Sequence, residues 1–209
     1  MSSPAFSSPR ETWDARFAVD RYIFGTAPNV FLASQRARLA PGMRALAVAD
    51  GEGRNSVWLA QQGLEVTAFD IAPRGVDKAR ALARRHGVAV DFRVASVEQW
   101  DWTPEAFDVV AAIFVQFAAP AVRARLFDGM LRTLMPGGWL LLQGYTPRQL
   151  DYRTGGPPYA DHLYTPELLR EAFSAHEIVE LTEHDDVLDE GTQHSGMSAL
   201  VDCVVRKRA

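Results

Sequence analysis

The stretch Ala45-Leu46-Ala47-Val48-Ala49-Asp50-Gly51-Glu52-Gly53-Arg54-Asn55-Ser56-Val57-Trp58-Leu59-Ala60 decides how the rest of the chain is read. Its opening, Ala45 to Ala49, is a continuous apolar run of the length of a buried strand. The run enters a turn with glycines at 51 and 53 and then a helical pattern that stops at Gly63. A strand, a glycine-rich turn and a helix N-terminus make the nucleotide-facing unit of a doubly wound sheet. Downstream, a second run from Glu65 to Phe69 ends in Asp70. A carboxylate at the tip of the second strand lies beside the first turn and accepts hydrogen bonds from both ribose hydroxyls. Turn and carboxylate together predict a nucleoside site, which neither predicts alone.

Outward from this unit the chain alternates. Upstream, Glu11 to Leu39 is helical in two pieces, broken around Gly25-Thr26-Ala27-Pro28-Asn29, and Ala40-Pro41-Gly42 turns into the first strand. Downstream, the helix after Pro73 places Val76, Ala79, Ala83 and His86 on one face and ends at Gly87. A third strand spans Ala89 to Val94 and a fourth Phe107 to Phe114. A helix beginning near Pro120 carries Val122, Leu126, Met130 and Leu134 and stops at Pro136-Gly137-Gly138, where the fifth strand, Trp139 to Gly144, starts. Tyr145 to Tyr164 has no clean period and reads as a long loop, the kind that more often carries function than not. Thr165 caps a helix that ends near Ala175, and strands over Glu177 to Leu188 and Ser198 to Arg206 close the chain. This order predicts a largely parallel sheet with helices on both faces.

A chain of 209 residues suits one domain with a full core. We read Met1 to Arg10, rich in Ser and Pro, as a frayed tail, residues 11–209 as a single domain, and 11–40 as its helical cap. The net charge of -4 gives no electrostatic case for nucleic acid or an anionic membrane. One cysteine, Cys203, excludes an intramolecular disulfide and fits a reducing cytoplasm; its place in the last apolar run makes it buried filler. Neither a signal-peptide pattern nor a membrane-length apolar run is present. Monomer and homodimer are equally compatible with the composition.

Several stretches, in order, carry a family resemblance. They are Tyr22-Ile23-Phe24-Gly25-Thr26-Ala27-Pro28-Asn29, Gly51-Glu52-Gly53-Arg54-Asn55 with Asp70, Phe107-Asp108, and Leu134-Met135-Pro136-Gly137-Gly138. They continue with Gln143-Gly144-Tyr145-Thr146-Pro147-Arg148-Gln149-Leu150, Thr154-Gly155-Gly156-Pro157-Pro158, and Glu190-Gly191 followed by His194-Ser195-Gly196. The chain resembles the class I S-adenosylmethionine (SAM)-dependent methyltransferases, and within them the small bacterial tellurite-resistance type. The resemblance implies an α/β, doubly wound, Rossmann-like seven-stranded sheet, mostly parallel with an antiparallel last strand. It implies SAM as cofactor, S-adenosylhomocysteine as product, a small-molecule methyl acceptor and no metal. Gly51 and Gly53 would let the backbone approach the methionine portion and the ribose, with Asn55 in the same motif. Asp70 would hold the ribose hydroxyls, Ile71 cover one adenine face, and Ser96 and Val97 border the adenine edge. The backbone at Ile113 and Phe114 would face the amino acid end, and Tyr22 would close over the cofactor.

Two positions depart from that pattern. The class places an acid in strand one and a glycine after it, where this chain has Ala47 and Ala49; Asp50 in the turn stands in for part of that role. The class also places Asp where Ser96 stands, and a hydroxyl accepts the adenine amino group without charge assistance. Weaker cofactor binding is the expectation. The acceptor pocket is expected from the N-terminal segment, the loop after strand five and the Glu190 to Gly196 turn, which bring Tyr145, Arg148, His162, Tyr164 and His194 into reach. His162 and His194 can deprotonate or orient an acceptor, and Arg148 can hold an anionic one. A thiol or a chalcogen oxyanion needs no strong base, whereas a hydroxyl or amine does. By the resemblance the expected acceptor is a thiol or a chalcogen oxyanion. Three rivals stay in view: an O- or N-methyltransferase of a small metabolite in which one histidine is a base, a nicotinamide-dependent dehydrogenase, whose third glycine is Ser56 here, and a SAM-binding protein without catalysis.

Overall fold

The computed structural model describes residues 8–209. Helix α1 (Pro9–Arg16) starts with a capping box in which Ser8 and Glu11 satisfy each other's backbone N–H groups. Pro9 and Arg10, read above as tail, are therefore its first turn; Met1 to Ser7 lie outside the described residues. Helix α2 (Val30–Ser34) is capped by the Asn29 side chain, which accepts from Leu32 N–H at 2.9 Å. The irregular chain between α1 and α2 is longer than the short break expected at Gly25–Asn29, because Phe17, Ile23 and Phe24 bury themselves as loop residues.

The alternation follows: β1 (Arg44–Val48), α3 (Arg54–Gln61), β2 (Glu65–Asp70), α4 (Pro73–His86), β3 (Asp91–Val94), β4 (Phe107–Ile113), α5 (Pro120–Thr133) and β5 (Leu134–Tyr145). One turn of helix, α6 (Gln149–Tyr152), sits inside the expected loop, followed by α7 (Pro166–Ala172), β6 (Glu177–Asp189) and β7 (Ser195–Arg206). All seven strands form one sheet in the order β3-β2-β1-β4-β5-β7-β6, with β7 antiparallel to both of its neighbours. Among the described residues, no helix is long and apolar enough to cross a membrane.

Strand periodicity divides the core. Leu46, Val110, Leu140 and Cys203 point to the side covered by α5 and α7, while Ala45, Val109, Leu141 and Val204 point to the side of α2 and α3. Both faces are apolar because both are covered, which is why β1 and β4 read as continuous apolar runs. Cys203 is fully buried, and burial pushes its thiol up to about 12, so it is inert filler as read.

The turn after β1 carries the local strain. Gly53 adopts φ 90°, and a Cβ there would lie 2.6 Å from Cβ of Ala79 on α4. Only glycine lets α3 and α4 approach so closely. Ala49, at the position where the family pattern has glycine, keeps the left-handed conformation with φ 48°. Left-handed backbone costs an L-residue roughly 1–2 kcal/mol, against roughly 0.5–1 kcal/mol for the extra freedom of glycine in the unfolded chain. Ala49→Gly is therefore expected to raise the melting temperature slightly, by about 1–3 °C. A thermal melt checks this, and a fall in melting temperature would show that the alanine methyl contributes packing that outweighs the strain.

Candidate functional site

The strand order reverses between β1 and β4, and a cavity of about 470 Å³ opens there at the carboxyl ends of β1, β2 and β4. This is where doubly wound sheets bind ligands. The bend after β1 supplies Asp50, Gly51, Glu52, Arg54 and Asn55 to its wall; β2 supplies Phe69 and Asp70. Ile71, Ser96, Val97, Ile113 and Phe114 line it as well.

Asp70 sits where the second strand meets the first bend. One oxygen accepts the Gly51 N–H and the other the Ala72 N–H, each at 2.9 Å. Burial raises its carboxyl to about 6 despite these bonds. Asp50 is raised further, to about 7, again chiefly by burial. Both of its oxygens accept from Ser56, one from the hydroxyl and one from the N–H, so it caps the first turn of α3. Asp50 touches the cavity, but its hydrogen bonds are committed to the helix. Ser96 is similarly engaged, its hydroxyl accepting Gln99 N–H at 3.3 Å.

Five expected residues are absent from the cavity wall: Gly53, Tyr22, Arg148 and the core-buried Tyr145 and Tyr164. Gly53 is absent from the cavity wall and serves the α3–α4 contact instead. Tyr22 lies outside the cavity: its hydroxyl donates to the Lys78 carbonyl at 3.0 Å, and its ring receives the cations of Lys78 and Arg85. The cation-rich flank of α4 holds that ring better than an apolar roof would. The roof comes instead from Trp13, Phe17 and Phe24, with Trp13 stacked on Phe17 at 5.8 Å. Arg148 is also turned away, ion-paired on the surface with Asp185, which accepts from Tyr152 as well. Arg148→Ala is accordingly expected to leave turnover within about twofold and stability within about 1 kcal/mol, as for other exposed pairs. Kinetics on an identified acceptor and a thermal melt check it.

His194, Tyr145 and His162 stay close to the cavity. The ring of His194 is enclosed by Phe24 at 4.6 Å, Phe114 at 4.4 Å and Tyr145 at 5.8 Å. Phe114 holds φ 56°, strain of the kind that collects at functional sites. Burial, then Arg54, lowers the proton affinity of His194, and Glu190 only partly offsets them. His194 Nδ1 lies 3.9 Å from Glu190, beyond hydrogen-bonding reach. Tyr145 is buried behind this cluster, and burial raises its phenol. His162 also lines the cavity, its Nδ1 3.3 Å from the Gln116 carbonyl.

The part that sequence reasoning missed is the buried pair behind the bend. Arg54 Nη2 meets Glu190 Oε2 at 2.7 Å, both side chains under a tenth exposed. The other Glu190 oxygen accepts from Asn29 Nδ2 at 3.0 Å and Val30 N–H at 3.1 Å. Burial alone would raise the Glu190 carboxyl; the charge and hydrogen bond of Arg54, with the Val30 N–H, overcome it and hold the group down at about 2. Among the described residues Arg54 Nη1 is buried without a hydrogen-bond partner, while its residue lines the cavity. Both residues stand in quoted motifs, Arg54 directly after Gly53 and Glu190 before Gly191. Pairing across 136 positions left no local trace. Among the described residues no group of three or more His, Cys, Asp and Glu is placed to hold a metal.

Comparison with known proteins fits this geometry. Residues 45–138 match a family model described as a methyltransferase domain. A ubiquinone biosynthesis O-methyltransferase of Paramagnetospirillum magneticum is 42% identical over 97 residues, 46% of this chain and 38% of that protein. The chain thus spans less than half the length of the curated relatives it matches. A structure from work on conversion of a disulfide bond into a thioacetal group during echinomycin biosynthesis has a TM-score of 0.76 at 20% identity, covering 95% of this chain and 92% of that one. A SAM-dependent methyltransferase structure from Methanosarcina mazei has a TM-score of 0.70 at 18% identity, covering 87% and 99%. At such identities the structures establish the fold, and it is the seven-stranded methyltransferase sheet. The domain match and the fold agree on a methyltransferase-type domain around the first bend.

Proposed function

We propose that the chain transfers a methyl group from SAM to a small-molecule acceptor. One observation supports the reading: Asp70, Gly51 and Arg54 line a single cavity, and Arg54 Nη1 has no hydrogen-bond partner among the described residues. SAM presents a diol at one end and a carboxylate at the other, and those groups match Asp70 and Arg54. Gly51 lets the backbone come close between them, Ile71 offers an apolar face to adenine, and Ser96 and Val97 its edge. Bound SAM supplies a methyl already activated by a sulfonium. The chain's own task is to align the acceptor and exclude water, and the aromatic roof of Trp13, Phe17 and Phe24 does the latter.

The acceptor divides the reading. A thiol or chalcogen oxyanion follows from the tellurite-resistance resemblance and requires no base. An oxyanion, however, wants a cation, and Arg148 is paired on the surface. The O-methyltransferase relatives favour a hydroxyl, which requires a base of the kind His162 or His194 offers. A cytoplasmic monomer or homodimer suits either version. Titration calorimetry of the purified chain is the test. SAM and S-adenosylhomocysteine are expected to bind and NADH is not; absence of SAM binding sinks the proposal, and binding without turnover on any acceptor reassigns the protein to a sensor.

A further inference from the structure

Resting on the methyl-transfer reading above, we infer that the acceptor is a neutral, apolar phenol and that His162 Nε2 takes its proton. The Gln116 carbonyl can only accept, so His162 Nδ1 carries the hydrogen in their 3.3 Å contact, and Nε2 keeps its lone pair. Gln116 is itself fixed: its side-chain amide donates to the Tyr145 carbonyl at 2.8 Å and accepts the Tyr145 N–H, so the carbonyl that sets the tautomer cannot drift. His162 is half-buried on the cavity wall, with Tyr159 against its ring at 5.2 Å. Its charged neighbours are Asp161, next in the chain, and Arg123, which donates to the Asp161 carbonyl.

The surroundings select the acceptor. Phe114, Phe117, Ala118 and Val122 line the same cavity, and Phe117 is 38% exposed, an aromatic face left open to pack on a ring. Arg54 is the one Lys or Arg among the cavity-lining residues, and it is paired with Glu190. Among the described residues the cation beside His162 is Arg123, which is not on the cavity wall and donates to the Asp161 carbonyl, so the lining offers an anionic acceptor no cation of its own there. A neutral phenol suits an imidazole base because its acidity is much closer to that of imidazolium than an alcohol's is. In the transfer, the phenol O–H bond breaks and its proton passes to Nε2. The oxygen lone pair forms the bond to the methyl carbon while the C–S bond breaks and its electron pair stays on sulfur. The products are a methyl ether and S-adenosylhomocysteine, and the imidazolium returns its proton to water.

The test uses the full chain, 2-naphthol as the phenol, and dithiothreitol and sodium tellurite as the competing acceptors. SAM binding is measured first by calorimetry, so a failure of the cofactor reading is seen separately. Naphthol affinity is then measured with S-adenosylhomocysteine bound, and methyl product is followed by mass spectrometry. The expected result is naphthol methyl ether formation, with little transfer to tellurite or dithiothreitol. His162→Asn retains a donor for the Gln116 carbonyl but deletes Nε2. It is expected to leave SAM affinity unchanged and to lower kcat by about 10²–10⁴-fold, with a smaller defect at alkaline pH and partial rescue by added imidazole. Naphthol affinity should fall severalfold. Transfer to tellurite or dithiothreitol without naphthol transfer, no naphthol transfer despite SAM binding, or an H162N rate within twofold of wild type would each overturn the inference.

Discussion

Glu190→Ala is expected to lower the melting temperature by roughly 10 °C and to weaken SAM binding with it. The Arg54–Glu190 pair is buried on both sides, so the mutation leaves a guanidinium in a low-dielectric site without its counter-ion. Breaking such a pair from one side costs about 3–5 kcal/mol, far more than the pair contributes over an apolar isostere. In a domain of this size each kcal/mol is worth about 2–4 °C. Val30 N–H loses its acceptor in the same step, whereas Asn29 Nδ2 retains Gln143 at 2.6 Å. The variant also loosens the join between the N-terminal segment and the β6–β7 turn, where a Cβ on Gly191 would lie 2.4 Å from Gly25 N. Because the folded Glu190 carboxyl lies near 2, below its unfolded value, its stabilisation is present above pH 4 to 5 and disappears as pH falls toward 2. The mutant should lack that part of the acid dependence. Pairing the change with Arg54→Met should recover most of the loss, since the stranded charge goes with it. Calorimetric melts of the single and double variants decide it; a drop under about 2 °C for the single variant would mean the pair is solvated.

The elements that the sequence exposes are those whose cause is local. The glycine pair of the first bend, the carboxylate at the tip of β2 and the Pro-Gly-Gly stop after α5 each act within a few residues of themselves. The first two are where the pattern put them; α5 instead ends at Thr133, and Leu134 with Pro136-Gly137-Gly138 belongs to β5, which starts at Leu134 rather than Trp139. Asp70, Ile71, Ser96, Val97, Ile113 and Phe114 all reach one cavity because strand order alone brings strand ends together. Tyr22 and Arg148 show what is lost when a side chain is placed by resemblance. Each lies in the expected segment, yet a charge elsewhere in the fold turned it outward: Lys78 and Arg85 for one, Asp185 for the other. The resemblance makes Gly53 a cofactor contact, whereas its lack of a side chain is demanded by Ala79 of α4, a neighbour that no turn motif reveals. Glu190 needed a partner 136 positions away to become legible.

Asp70 gives the second large effect, and it makes affinity and stability respond to pH in opposite directions. Asp70→Asn is expected to weaken SAM by about two orders of magnitude, because hydrogen bonds to a charged acceptor contribute about 1.5–3 kcal/mol each and the ribose offers two donors. The amide still accepts one of the Gly51 and Ala72 N–H bonds, so the fold should survive. In the wild type the carboxyl titrates near 6. At pH 5 only about a tenth of the free protein has it ionised, so SAM affinity should fall about tenfold between pH 7.5 and pH 5. D70N should flatten that dependence. Stability runs the other way. A carboxyl raised from its unfolded value stabilises the fold fully below pH 4, and that contribution is lost as pH rises through 6, with Asp50, near 7, acting in the same sense. The ligand-free protein should therefore melt higher at pH 5 than at pH 8 as far as these two groups decide it, while SAM raises the melting temperature more at pH 8. If SAM bound equally well at both values, or if D70N kept the wild-type slope, the carboxylate would not be holding the ribose.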